Sequence, residues 1–119
     1  MITIPMANLE KFADEDNGQP LVMLNLARFK VDGGRERYFE YLGIAGPIAA
    51  RFGAEIVFAG ETLPALAAEQ GQAWDVVALV RYPNRHAFLQ MLTDPDYASA
   101  DQLRISALQD AVLQPVPVR

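Results

Sequence analysis

Two stretches of this chain are apolar on both faces, and that constrains its fold more than any other feature. Residues 21–29 read Leu-Val-Met-Leu-Asn-Leu-Ala-Arg-Phe, and residues 74–82 read Trp-Asp-Val-Val-Ala-Leu-Val-Arg-Tyr. Turn-formers bound them: Asp14-Glu15-Asp16-Asn17-Gly18-Gln19-Pro20 before the first and Pro83 after the second. Side chains on a strand alternate between its two faces. A strand with apolar residues on both sides therefore needs cover on both sides. In the first run Val22, Leu24 and Leu26 share a side with Arg28, while Met23, Ala27 and Phe29 share the other with Asn25. In the second, Val77 and Leu79 oppose Val76, Ala78 and Val80.

The remaining elements follow from periodicity. Residues 6–15 carry Met6, Leu9 and Phe12/Ala13 at the spacing of a short helix. Residues 35–52 form a longer helix with a stripe of Tyr38, Tyr41/Leu42, Ala45, Ile48/Ala49 and Phe52, and Gly53 suits its C-terminal cap. Pro47 removes an amide donor and crowds the carbonyl of Gly43, so a bend, or two shorter helices, is expected there. Residues 54–62 read as a strand, with Ile56 and Phe58 on one face and Glu55, Val57 and Glu61 on the other. Residues 63–73 fit one or two helical turns or a loop. Asn84 caps a helix from Arg85 to about Leu92, and Asp94-Pro95 starts another running to about Ala111. Residues 112–118 form a last strand. Its Pro115 and Pro117 lack amides on the same side, which places it at a sheet edge.

A short helix followed by β-α-β-β-α-β is the split βαβ arrangement of an α+β, ferredoxin-like domain. The expected antiparallel sheet order is 4-1-3-2. Residues 1–19 form an N-terminal helical extension, and residues 20–119 a single ferredoxin-like domain. The two main helical regions cover only one face of such a sheet. An exposed apolar face on the other side is unusual for a monomer. A second copy packed sheet to sheet resolves this and gives a homodimer. The alternative cover is the N-terminal helix together with residues 63–73.

Composition narrows the chemistry. The 119 residues include no cysteine and one histidine, His86, which excludes disulfides, thiol catalysis and thiolate or His-cluster metal sites. No metal and no cofactor is expected. Ten Lys+Arg against fifteen Asp+Glu give a net charge of −5, which argues against a basic nucleic-acid-binding face. No apolar run approaches the ~18 residues of a membrane span, and no signal-peptide pattern is present. A cytoplasmic location is expected.

A few polar residues stand out as candidates for a site. Asn25 interrupts an apolar strand, where an unpaired amide costs about 1–3 kcal/mol. It binds either a ligand or a neighbouring backbone group. Ala27 beside it, and Ala78 in the other apolar strand, leave room that Leu or Phe would fill. Tyr38 and Tyr41 lie on the first long helix, which lays them over this face if it is the helix-covered one, and aromatics with polar tips suit such cavities as well as plain cores. Trp74 and His86 lie near the two ends. His86, in the first turn of its helix, is either a general base or an exposed surface residue. The expected cavity is bordered by some of Asn25, Tyr38, Tyr41, Trp74 and His86. Centring the two apolar strands on each other sets Arg28 opposite Asp75, as an ion pair or as a receiver for a substrate carboxylate. Gly33-Gly34 lacks the pattern of a phosphate loop.

Residues 22–29, Trp74-Asp75-Val76-Val77, Val80-Arg81-Tyr82-Pro83-Asn84-Arg85, Phe88-Leu89-Gln90-Met91-Leu92 and Asp94-Pro95-Asp96-Tyr97 resemble, in order and spacing, the DUF1330 family. The resemblance covers about residues 20–118. It implies a small bacterial protein of unknown function in the dimeric α+β barrel superfamily, and it transfers no catalytic residue. The function expected is the binding of a small organic molecule. The alternatives are a cofactor-independent enzyme of oxygenase or isomerase type, and a structural module without a ligand. Asn25 and His86 converging on one roomy cavity favours the enzyme, a closed cavity without titratable residues favours binding, and a filled core favours the structural module.

Overall fold

The computed structural model describes residues 1–118. Its elements are α1 (Met6–Asp14), β1 (Leu21–Phe29), α2 (Gly34–Ala50), β2 (Glu55–Glu61), β3 (Val76–Tyr82), α3 (Arg85–Thr93), α4 (Pro95–Ala107) and β4 (Leu108–Pro117). The four strands form one antiparallel sheet in the order β2-β3-β1-β4, which is 4-1-3-2 read from the opposite edge. The β1–β3 register, Leu21 against Tyr82 through Ala27 against Val76, is the centred one. β4 carries both prolines at the edge, as its missing amides require.

Local chemistry sets the helix ends. Asn84 accepts from the Ala87 amide at 2.8 Å and starts α3, and Asp94 accepts from the Asp96 amide at 2.9 Å and starts α4 with Pro95 in its first turn. Gly53, at φ 82°, turns the chain after α2. α2 stays a single helix through Pro47, because Pro47 and Gly43 both lie on its exposed side, where the freed carbonyl is open to solvent.

The structure differs from the sequence reading in two elements. Residues 108–111 belong to β4 rather than to the last helix, since Ala111 pairs with Ala27 and Leu108 with Phe29 across an irregularity in the ladder. In β2 the register shifts between Ile56 and Phe58. The extra residue puts Ile56 beside Val80 and Phe58 beside Leu79, on opposite faces, and likewise separates Glu55 from Glu61.

The helices cover one face. Leu21, Met23, Ala27, Val76, Ala78 and Tyr82 are buried there against Tyr38, Tyr41, Ala45, Phe88, Met91, Tyr97 and Ala100. The other face holds Val22, Leu24 and Leu26 beside Val77 and Leu79, Val112 and Val116 on β4, and Phe58, which is 56% exposed. The N-terminal segment does not cover it: Ile2, Ile4, Leu9 and Phe12 pack against the helix-side core. Residues 63–73 do not cover it either; they form no helix, and Leu63 and Leu66 are exposed.

The β1–α2 turn depends on Gly34. A Cβ there would stand 2.5 Å from the Ala107 carbonyl oxygen, the same oxygen that accepts from the Lys30 amide at 2.8 Å. Backbone crowds this position, so no side-chain rotation relieves the clash. Gly34→Ala is expected to destabilise the fold by about 1–3 kcal/mol. Urea denaturation should show a lower midpoint at unchanged slope.

Candidate functional site

Asn25, Ala27 and Ala78 leave a gap between the sheet and its helices. The resulting cavity has a volume of about 670 Å³, inside the ~300–1,000 Å³ range of small-molecule sites. Met23, Asn25, Ala27, Ala78 and Val80 form its floor. Tyr38 and Tyr41 of α2, Phe88 and Met91 of α3, and Tyr97, Asp101 and Arg104 of α4 form its walls. Ile2, Ile4, Leu9 and Phe12 close one side.

The polar groups are few and mostly neutral. Asn25 donates through Nδ2 to the carbonyls of Met23 at 3.2 Å and Ala78 at 3.5 Å. No described residue donates to its Oδ1. Backbone groups thus satisfy half of the amide, and the other half keeps its capacity beside the void. The hydroxyls of Tyr41 and Tyr97 lie 2.9 Å apart. Tyr82 donates to Met91 Sδ at 3.7 Å. Arg104, on α4, donates through Nε to Asp101 Oδ1 at 2.5 Å and through Nη2 to the Ile2 carbonyl at 2.8 Å. Burial opposes the charge of Arg104, but the Asp101 carboxylate holds its pKa above the ordinary value.

Of the residues singled out from the sequence, the cavity brings together Asn25, Tyr38 and Tyr41 and leaves out Trp74 and His86. His86 is exposed, because the next two residues of α3, Ala87 and Phe88, take the inward positions. Trp74 precedes β3 and lies beneath the Arg28 guanidinium, 4.5 Å from its ring centroid, at the end of the helix-free face. The Arg28–Asp75 ion pair does not form. Asp75 instead accepts the Phe29 amide at 2.8 Å. Arg28 faces its cross-strand neighbour Asp110 at 3.6 Å and donates to the carbonyl of Ala73.

Tyr97, Asp101 and Arg104 were not singled out from the sequence. Their spacing of four and three residues does put them on one helical face. What the sequence hides is that this face looks into a void. The roofing by the N-terminal segment carries no local signal either.

The fold is that of a ferredoxin-like α+β protein with a cavity beneath its helices. The chain matches the model of a domain of unknown function, DUF1330, over residues 25–114, and it belongs to that family. A crystal structure of a protein of unknown function from Rhodopseudomonas palustris superposes with a TM-score of 0.90 at 30% identity, covering 99% of this chain and 96% of that one. A dimeric ferredoxin-like protein of unknown function from Jannaschia sp. CCS1 has a TM-score of 0.66 at 12% identity, covering 83% and 99%. The hydroxynitrile lyase of Passiflora edulis has a TM-score of 0.68 at 10% identity, covering 86% and 95%. At such identities the last two share the fold alone. No curated protein matches this sequence.

Burial raises the pKa of all four tyrosines, Tyr38, Tyr41, Tyr82 and Tyr97, above the usual phenol value. The folded chain therefore holds phenolic protons that the unfolded chain releases near pH 10. Stability from this source is complete below about pH 10 and falls as pH rises further. In an alkaline titration, phenolate absorbance is expected to appear together with loss of helical circular dichroism. Phenolate forming well before unfolding would contradict this.

Proposed function

We propose that this protein binds a small, largely apolar organic molecule in the cavity beneath its helices. The carrying observation is the cavity itself, which occupies the place where Ala27 and Ala78 stand instead of larger core residues. Binding is favoured over catalysis because the only histidine of the sequence lies outside, and the Asp101 and Arg104 side chains in the walls neutralise each other. In this reading residues 1–19 are an extension that closes one side of the site, and residues 20–118 are one domain. Residue 119 lies outside the described residues. A cytoplasmic location accords with the cysteine-free sequence.

The test uses N-phenyl-1-naphthylamine, a neutral fluorophore that brightens in apolar surroundings. It should bind one per chain. Ala78→Phe, which fills the floor of the cavity, should lower its affinity at least tenfold while circular dichroism is unchanged. Equal binding by Ala78→Phe and the parent chain would place the dye elsewhere and remove the reading.

We also propose a homodimer joined through the helix-free face. The support is the central apolar patch of Val22, Leu24, Leu26, Val77 and Leu79, together with the dimeric state described for ferredoxin-like relatives of the fold. A stable interface of this kind removes at least ~1,000 Å² in total. Sedimentation should show a two-chain species at micromolar concentration, and Leu24→Glu, at the centre of the patch, should give single chains. A parent protein that sediments as single chains would rule the dimer out.

A further inference from the structure

The geometry points to a ligand that is uncharged and presents a carbonyl oxygen to Tyr38 in the cavity; this rests on the cavity reading above. The walls hold a donor that the protein does not use. Tyr38 is 4% exposed, yet no described residue pairs with its hydroxyl. Tyr41 and Tyr97 bond to each other at 2.9 Å, and the Asp101 side chain accepts the Tyr97 proton. The Tyr38 hydroxyl is not sealed in the packing but opens on the cavity, where an incoming acceptor can pair with it. Tyr38 and Tyr41 are three apart on α2 with ring centroids 5.7 Å apart, so both reach the same end of the cavity.

Charge selects against an anion. Among the described residues of the walls Arg104 is the only cationic side chain, and it already holds the Asp101 carboxylate at 2.5 Å and the Ile2 carbonyl at 2.8 Å, while the Met1 ammonium, also in the lining, holds Asp110 at 2.6 Å. A carboxylate ligand would have to displace Asp101 or bury a second negative charge beside it, and desolvating that charge is costly. A carbonyl group accepts the Tyr38 proton without bringing a charge. The floor of Met23, Ala27, Ala78 and Val80 and the wall of Phe88 and Met91 take the apolar remainder of the molecule.

Three ligands of one shape separate these terms: 2-acetonaphthone, 2-ethylnaphthalene and 2-naphthoate, each competing with N-phenyl-1-naphthylamine on the full-length chain. The ketone should bind about three- to tenfold more tightly than the hydrocarbon, the worth of one net hydrogen bond, and more tightly than the anion. Tyr38→Phe should shrink the ketone's advantage and leave 2-ethylnaphthalene unchanged, which also shows that the variant is folded. Should it fail to fold, the ranking of the three ligands on the parent chain decides. Equal affinity for ketone and hydrocarbon, strongest binding of the naphthoate, or a ketone preference that survives in folded Tyr38→Phe would overturn the inference while leaving the cavity reading intact. If neither the dye nor any of the three compounds binds, the cavity reading fails and this inference with it.

Discussion

The structure depends on β1 being a central strand with two apolar faces. It pairs with β3 on one side from Leu21 to Ala27 and with β4 on the other. Its odd-numbered side chains meet the helices, and Val22, Leu24 and Leu26 lie on the face that no helix of the chain covers. The chain has only enough helix to cover one face, and its N-terminal segment joins that same side. The uncovered face and the roofed cavity are therefore two outcomes of one allocation of apolar surface.

The cavity arises from side-chain size. At the middle of the sheet, Asn25 and Ala78 face each other and Ala27 follows, where most cores place branched aliphatics. The helices are held off this floor by tyrosines, whose rings touch one another along α2 and α4: Tyr38 and Tyr41 at 5.7 Å, Tyr41 and Tyr97 at 6.4 Å. A ring of this size fills space at the wall while its hydroxyl reaches inward. Protein interiors are otherwise close-packed, and a void of several hundred Å³ carries a large loss of contacts. A molecule occupying it restores them.

The parts of the site that were legible in the sequence lie on strongly periodic elements. Asn25, Tyr38 and Tyr41 are positioned by β1 and by the stripe of α2, and both periodicities hold in the structure. Trp74 and His86 sit just outside regular elements or at a helix's first turn, where a change of one residue turns a side chain through a large angle. The structure leaves both outside the cavity. The same sensitivity applies in β2, where the register shift between Ile56 and Phe58 puts these two residues on opposite faces.

The sequence by itself determined the element order, the sheet order, the β1–β3 register and the existence of a second apolar face, because these follow from period, turn residues and the number of helices. It also determined the absence of thiol chemistry and of histidine clusters. Only the tertiary structure decided that Tyr97, Asp101 and Arg104 complete the walls, that Arg28 faces Asp110 rather than Asp75, and that the N-terminal segment roofs the cavity. Each of those is a contact between elements far apart in the chain. Their geometry depends on how α4 and the N-terminus settle over the sheet, and no local pattern encodes that distance.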